Sequence, residues 1–385
     1  MLLEYGLRNF LSFKERTSVS FRLDTNAMSR TSPDRPATTV MCVKGENGSG
    51  KTHLLKALAF VASFATTSFS SEPDAEIPVT PFFSDRGPSS FFADFKVEET
   101  TYRYEIDVDA VGVVREALLK ARDAKELVFE RIQDGVEAVG RLKILERIRM
   151  RRNASVISTA YHHQIDELVP VHAFFRSIHS NVSANGSREA PFADIHEVAQ
   201  FLSEHDDVRS YVEQFLKECD LGIKRLQIAS EHRADGRRRF YPVFIHEVLG
   251  LECQVMPATA SSGTMQLFRL MLPIAAMVTS GGVLVVDELY QHLHPHLLPK
   301  LLGLFQAADG PVAQLLFSTH CSDVMELCGH GRTTLVSKDN NQSCAYRPGE
   351  IGSIPDARPP AGPRTRSPRP PPCRASARHC AGRRP

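Results

Sequence analysis

Eight consecutive residues near the N-terminus have the spacing of a phosphate-binding loop. They read Gly45-Glu46-Asn47-Gly48-Ser49-Gly50-Lys51-Thr52 and fit the pattern G-x-x-x-x-G-K-[ST] in full. Glycines let the backbone wrap closely around phosphate groups and present its N–H groups to them. In such a loop, Lys51 reaches the β- and γ-phosphates and the hydroxyl of Thr52 completes the shell of a Mg²⁺ ion. The segment therefore predicts binding of a nucleotide together with Mg²⁺.

The segments on either side of this loop are the ones that its chemistry requires. Residues 39–43 are largely apolar, as expected of a short strand in a sheet that is covered on both faces. Residues 51–67 carry their apolar side chains on one stripe and predict a helix. The positive N-terminal end of that helix would point at the same anion. A chance Gly-Lys-Thr turn is the alternative, and this context argues against it.

Two further apolar strands end in residues that could act on the bound phosphates. Residues 282–286 run directly into Asp287 and Glu288, and a second apolar strand ends in His320. The carboxyl ends of parallel strands line the ligand crevice of an α/β sheet, so we expect Asp287 to lie near Thr52 and to hold Mg²⁺. Glu288 could polarise the attacking water. His320 could contact the γ-phosphate or orient that water.

The segment Ser261-Ser262-Gly263-Thr264 opens a helix predicted over residues 262–278. Serine, glycine and a helix N-terminus together can form a second anion site. One chain does not need two such sites for one nucleotide, so we expect Ser262 and Gly263 to face the γ-phosphate held by another subunit. An ordinary helix N-cap is the alternative interpretation.

Taken together, these motifs resemble the ABC-type AAA-family ATPases of the SMC and RecF lineage. The likeness is greatest to the small bacterial AAA ATP/GTP phosphatase proteins, many of which are associated with abortive infection or other phage defence. It covers about residues 1–350. The matching segments are Arg8-Asn9-Phe10, Ser12-Phe13, Gly45 to Thr52, Asp220-Leu221-Gly222-Ile223, Ser261 to Thr264, Asp287-Glu288, Leu293-His294-Pro295, Ser318-Thr319-His320 and Ser337-Lys338-Asp339.

This resemblance implies a role for each site residue. ATP becomes the expected nucleotide, and two ATP molecules would be sandwiched between protomers in a homodimer or a higher homo-oligomer. Lys51 and Thr52 would bind phosphate and Mg²⁺, and Asp287 would be the metal carboxylate. The implied general base is Glu288, the switch histidine is His320, and Ser262 with Gly263 would act on the partner's ATP.

The expected fold class is α/β, a P-loop NTPase of the ABC/SMC-RecF type with an antiparallel β arm, a mainly helical insertion and a disordered tail rich in Pro and Arg. The tail holds eight arginines and one acid, Asp356. It could be a basic tether for nucleic acid or a partner, but we favour an incidental terminus. The predicted units are 1–70 and 223–350 for the two parts of the ATPase domain, 90–120 for the β arm, 125–220 for the helical insertion and 355–385 for the tail.

Composition narrows the class of protein. The 385 residues are 42% hydrophobic and 24% charged, with a formal net charge of +1. The eight cysteines are scattered without a C-x-x-C pair, which favours a reducing cytoplasm. Glu4 and Arg8 interrupt any secretory signal, and Arg269 and Pro273 interrupt the longest apolar stretch. We therefore expect neither a secreted disulfide scaffold nor a membrane protein.

Three functions fit this sequence. The first is an Mg²⁺-dependent ATPase whose dimerisation regulates a separate effector protein in phage defence. The second is a RecF-like DNA-binding repair or recombination ATPase. The third is a nucleotide sensor that does not hydrolyse, because Ala260 and the pair Tyr290-Gln291 replace acids that the family often carries. The nucleic-acid contact of the second would use two basic runs, made of Arg147, Arg149, Arg151 and Arg152 and of Arg237, Arg238 and Arg239.

Overall fold

A computed structural model gives the fold of most of the chain. It describes residues 1–23, 36–83, 85–121, 125–182, 194–219, 221–233, 236–289, 293, 296–306, 311–321 and 323–350. Asp220, Tyr290, Gln291 and the predicted tail at 355–385 lie outside these residues.

Three sheets contain the strands of the described residues. One has six strands, one has seven and one has three. The strands are β1 (Leu2–Arg8), β2 (Thr17–Ser20), β3 (Val40–Gly45), β4 (Ser89–Val97), β5 (Thr100–Val108), β6 (Val113–Ala121), β7 (Lys125–Ile132), β8 (Gly135–Ala138), β9 (Ile178–Ser180), β10 (Ile223–His232), β11 (Arg238–Val248), β12 (Leu251–Val255), β13 (Gly282–Val286), β14 (Ala313–Thr319), β15 (Thr333–Asp339) and β16 (Gln342–Tyr346).

The α-helices of the described residues vary between one and a half turns and about five turns. Among them, none is long and apolar enough to cross a bilayer. They are α1 (Lys51–Thr67), α2 (Val156–His162), α3 (Val169–Arg176), α4 (Ile195–Glu204), α5 (Asp206–Glu218), α6 (Ser262–Ser280), α7 (Leu297–Gln306) and α8 (Asp323–Cys328).

The six-stranded sheet positions the predicted site. Its order is β16-β15-β3-β14-β13-β9, and all neighbours are parallel except the antiparallel pair β15 and β16. Successive side chains of β3 enter two different cores, because side chains alternate across a strand. Met41 and Val43 pack in the core that contains α1, whereas Val40 and Cys42 pack with α6 and α7. A sheet covered on both faces needs apolar strands, which explains their composition.

The seven-stranded sheet is antiparallel and larger than the predicted β arm. Its order is β2-β1-β4-β5-β6-β7-β8, so it includes the first strand of the chain and extends to Ala138. The prediction of a helical insertion from residue 125 is therefore wrong over 125–138, which form β7 and β8. Phe129 and Arg131 are both fully buried on β7. Because one of these buried residues is an arginine, the alternation of apolar and polar residues that indicates a strand is interrupted. From residue 156 to 218 the described segment is helical, apart from the short β9.

A buried charge cluster fastens β6 and β7 to the segment before α2. The carboxylate of Glu116 accepts hydrogen bonds from Tyr104 Oη at 2.9 Å and from the backbone N–H of Val156. Arg131 Nη1 lies 3.9 Å from this carboxylate and donates to the carbonyl oxygen of Ala154 at 2.6 Å. Glu116 and Arg131 are both 0% exposed. Burial raises the pKa of Glu116, and the charge of Arg131 opposes that shift.

We predict that Glu116→Ala lowers the free energy of unfolding by about 3–5 kcal/mol, because it leaves the buried Arg131 guanidinium without its counter-charge. Urea denaturation of the purified chain measures this change. Glu137→Ala is the control, since Glu137 lies on the neighbouring strand β8 and is exposed. Equal stability losses for the two variants would contradict the prediction.

Candidate functional site

The phosphate-binding loop connects β3 to α1. Gly48 and Gly50 adopt positive φ angles of 77° and 112°, which side chains rarely tolerate. Lys51 is 5% exposed, and its ammonium donates to the carbonyl oxygens of Gly45 and Glu46 at 3.0 Å each. The lysine thus joins the two ends of the loop by hydrogen bonds within it.

Asp287 lies beside Thr52, as the strand order requires. Thr52 Oγ1 donates to Asp287 Oδ2 at 2.6 Å. The other carboxylate oxygen, Oδ1, accepts a hydrogen bond from the hydroxyl of Ser318 on β14. The backbone of Asp287 is held by the side chain of Asn181, which donates to its carbonyl oxygen at 3.2 Å and accepts from its N–H at 2.7 Å. Asp287 is thus held by hydrogen bonds to both carboxylate oxygens and to its backbone, all from residues of its own chain.

Glu288 occupies the left-handed backbone region with a φ of 52°. A charged residue in this conformation is uncommon, and such strain occurs often at functional sites. Its N–H donates to Ser318 Oγ at 2.8 Å, which helps to hold the turn. Its side chain lies between the Lys51 ammonium and the His320 imidazole, with Oε1 3.9 Å from Lys51 Nζ and Oε2 3.2 Å from His320 Nδ1. The structure therefore brings Lys51, Glu288 and His320 together at one edge of the sheet.

The donor set at Thr52 and Asp287 fits a Mg²⁺ ion. Hydroxyl and carboxylate oxygens are the ligands that Mg²⁺ prefers, and it commonly takes only one or two from the protein. In the described part of the chain, no group of three or more His, Cys, Asp or Glu residues could hold a metal ion by itself. A metal at this position would thus depend on oxygen atoms from phosphate and water.

Three polar residues behind the phosphate-binding loop were not predicted. Ser343 on β16 donates to the carbonyl oxygen of Ser49 at 2.6 Å, and its Oγ also contacts Ser12 Oγ at 2.7 Å. Ser12 Oγ also contacts His53 Nδ1 at 2.7 Å. These contacts fix the outer side of the loop to β16 and to the segment after β1. A serine in a polar hairpin has no sequence signal of this role, because the contact forms only in three dimensions.

A cleft of about 730 Å³ lies between the phosphate-binding loop and the hairpin of β15 and β16. This volume is in the range of small-molecule sites. The cleft is lined by residues 44–49 of the loop, by His320, by residues 335–338, by Asn340 and Asn341, and by Tyr346.

Ser262 and Gly263 make no polar contact with the phosphate-binding loop among the described residues. Neither lines the cleft, and no hydrogen bond or ion pair of the described residues joins either one to residues 45–52. The N-cap of α6 is Ser261, whose Oγ accepts from the N–H of Thr264 at 3.1 Å. The hydroxyl of Ser262 is not needed for that cap, and Ser262 is exposed.

The two basic runs do not form open patches along their whole length. Arg151 donates to the carbonyl oxygens of Phe69 at 2.7 Å and Ser71 at 2.5 Å, so it holds the segment that follows α1. Arg239 contacts the ring of His196. Arg237 and Arg238 are exposed. Nucleic-acid contact through these runs stays a prediction.

Comparison with known proteins identifies the family. The model of the family described as "AAA domain, putative AbiEii toxin, Type IV TA system" matches residues 40–325. The chain belongs to this family of AAA domains, and the resemblance to AAA-family ATPases that its motifs indicated is confirmed. The α/β P-loop fold class is confirmed as well. No curated protein sequence matches the chain.

Solved structures of SMC head domains are similar to this chain over most of its length. The SMC head domain from Thermotoga maritima is 16% identical with a TM-score of 0.46, covering 90% of this chain and 98% of that one. An SMC head bound to the C-winged helix domain of ScpA is 12% identical with a TM-score of 0.48, covering 92% and 99%. An SMC head with an extended coiled coil, bound to the C-terminal domain of ScpA derived from Pyrococcus furiosus, is 12% identical with a TM-score of 0.45, covering 91% and 98%.

We predict that Gly50→Ala is more destabilising than Gly48→Ala. A Cβ at position 50 would lie 2.5 Å from Ser343 Oγ and 2.9 Å from Ser12 Oγ, whereas a Cβ at position 48 meets no atom within 4 Å. Each substitution costs about 1–2 kcal/mol for the left-handed backbone alone, and Gly50→Ala adds at least about 1 kcal/mol for the collision. Thermal unfolding measures both variants. Equal melting temperatures for the two would show that the loop is not held against β16 in this way.

Proposed function

We propose that the chain binds ATP with Mg²⁺ and hydrolyses it to ADP and phosphate. The observation that supports this most directly is the hydrogen bond between Thr52 and Asp287, residues 235 positions apart, beside Lys51 and Glu288. This site then holds three groups within reach of one another. Lys51 is suited to phosphate, the carboxylate of Asp287 to Mg²⁺ and that of Glu288 to proton transfer. Phosphoryl transfer needs little more than this, because its catalysis consists mainly of positioning and electrostatic stabilisation.

In this mechanism Lys51 leaves the carbonyl oxygens of the loop and donates to the β- and γ-phosphate oxygens. Mg²⁺, held by Thr52 and Asp287, would supply positive charge to the phosphate oxygens. A carboxylate oxygen of Glu288 accepts a proton from the attacking water while the water oxygen bonds to the γ-phosphorus and the bond to the β-phosphate oxygen breaks. His320, 3.2 Å from Glu288, positions that carboxylate.

We further propose that two copies of the chain complete each other's site as a homodimer. The exposure of Ser262 supports this idea, because its hydroxyl and the N-terminal end of α6 are then available to a nucleotide on another copy. A higher homo-oligomer would use the same contact.

The biological role that we propose is regulation of a separate effector protein in bacterial phage defence, in the cytoplasm. The family's description as a putative toxin of a type IV toxin–antitoxin system supports a place in such a system. Dimerisation driven by ATP would provide the switch, and hydrolysis would reset it.

The first test is phosphate release from Mg²⁺-ATP by the purified chain over a range of protein concentrations. We expect turnover per chain to rise with concentration, because the active site is composite. Lys51→Ala should abolish ATP binding, and Glu288→Gln should bind ATP but reduce turnover by at least about 100-fold, since general-base catalysis contributes 10²–10⁴-fold.

Glu137→Gln is the matched control and should leave turnover unchanged, because Glu137 is an exposed glutamate of β8 that does not line the cleft. Turnover by Glu288→Gln equal to that of the wild type would contradict the role of Glu288. ATP binding without turnover by the wild type would favour the nucleotide sensor instead.

The second test mixes two inactive variants. Lys51→Ala keeps an intact Ser262, and Ser262→Arg keeps an intact phosphate-binding loop, so a mixed dimer has one complete site. We expect each variant alone to be inactive and an equal mixture to recover about a quarter of wild-type turnover, because half of the dimers are mixed and each carries one site of two. An inactive mixture would contradict the composite site, provided that cross-linking shows that mixed dimers form.

A further inference from the structure

The hairpin of β15 and β16 extends past the sheet and along the phosphate-binding loop. β15 pairs in parallel with β3 as far as Val336 and Gly45, and it then continues for three residues to Asp339. The turn follows at Asn340 and Asn341, both with positive φ angles, of 48° and 65°. These angles match a tight two-residue hairpin turn. The last residues of β15 are thus the neighbours of the loop rather than of β3.

The register of the hairpin tells which of these residues faces the loop. Lys338 is paired with Ser343 across the hairpin. Residues directly opposite in an antiparallel pair project to the same face. Ser343 lies on the loop side, because its hydroxyl donates to the carbonyl oxygen of Ser49. Lys338 therefore projects toward the loop as well, in agreement with its place in the wall of the cleft.

Lys338 shares the wall of the cleft with residues 44–49 of the loop and with His320. Lys338 is exposed, and no carboxylate forms an ion pair with it in the part of the chain that the structure describes. Among the described residues, this cation therefore has no ion-pair partner.

We propose that Lys338 is a second phosphate-binding lysine, which contacts the phosphate chain of the same nucleotide that Lys51 binds. This proposal rests on the proposed nucleotide binding at the loop and adds a residue from the opposite wall of the cleft. Lysine suits this role because its ammonium is a compact charge on a flexible stem and can follow a polyphosphate that moves into the cleft.

The test is equilibrium binding of two probes, Mg²⁺-ATP and inorganic tripolyphosphate, to the full chain. Lys338→Met should raise the dissociation constant of both probes about tenfold, as expected for loss of one charge-assisted hydrogen bond. Lys338→Arg keeps the charge and should raise it less than about threefold. Lys143→Met removes a similarly exposed lysine away from the cleft and should change neither constant. Thermal unfolding shows whether each variant is folded.

The outcomes separate the two proposals. Wild-type binding by Lys338→Met, with binding lost in Lys51→Ala, would overturn the role of Lys338 and leave the proposed function intact. Weaker binding of ATP with unchanged binding of tripolyphosphate would also overturn it, because Lys338 would then contact the nucleoside. Absence of ATP binding by the wild type would overturn the proposed function, and with it this role.

Discussion

The hydrogen bond between Thr52 and Asp287 connects the two parts of the chain that form the site. It exists because β3, β14 and β13 are adjacent and parallel, so that their carboxyl ends meet at one edge. Ser318 at the end of β14 stabilises the arrangement from between them, because its hydroxyl donates to Asp287 and accepts from the N–H of Glu288. A buried carboxylate needs such partners, since an unpaired one would be too costly to desolvate. The phosphate-binding loop and the pair Asp287-Glu288 depend on this contact for their relative position.

Buried polar groups also join the sheets to each other. Gln314 on β14 is fully buried, and its amide donates to the carbonyl oxygens of Leu2 at 2.9 Å and Thr38 at 3.1 Å. The N–H of Leu2 returns a hydrogen bond to the same side chain at 2.6 Å. The first strand of the antiparallel sheet is thereby tied to the central sheet beside β3. All polar atoms of the Gln314 amide have hydrogen-bond partners. The contact therefore fixes the position of β1 relative to β14, which apolar packing alone would not determine.

The sequence predicts the elements that have a local signal, which is an apolar run for a strand or a glycine spacing for the loop. Apolar runs predicted the strand before the loop and the strands that precede Asp287 and His320, and glycine spacing predicted the loop. The sequence does not predict β7, because an arginine normally faces solvent. Arg131 is buried only because Glu116 lies beside it in the folded chain. The sequence does not predict Asn181 either, since β9 has only three residues and becomes a strand by pairing with β13. Contacts between distant polar residues carry no periodic signal.

One feature of the site argues for a covering element. The side chain of Glu288 is 28% exposed and that of His320 is 56% exposed, whereas Lys51 is 5% exposed. The Lys51 side of the site is thus enclosed by its own chain, and the side of Glu288 and His320 is open. Electrostatic stabilisation is stronger where water is excluded, so an open base would be poorly placed for fast hydrolysis. In the proposed dimer, a second copy that presents Ser262 and the start of α6 would close this side, and the rate of hydrolysis would then be a property of the assembly. An isolated chain would then bind nucleotide well and hydrolyse it slowly.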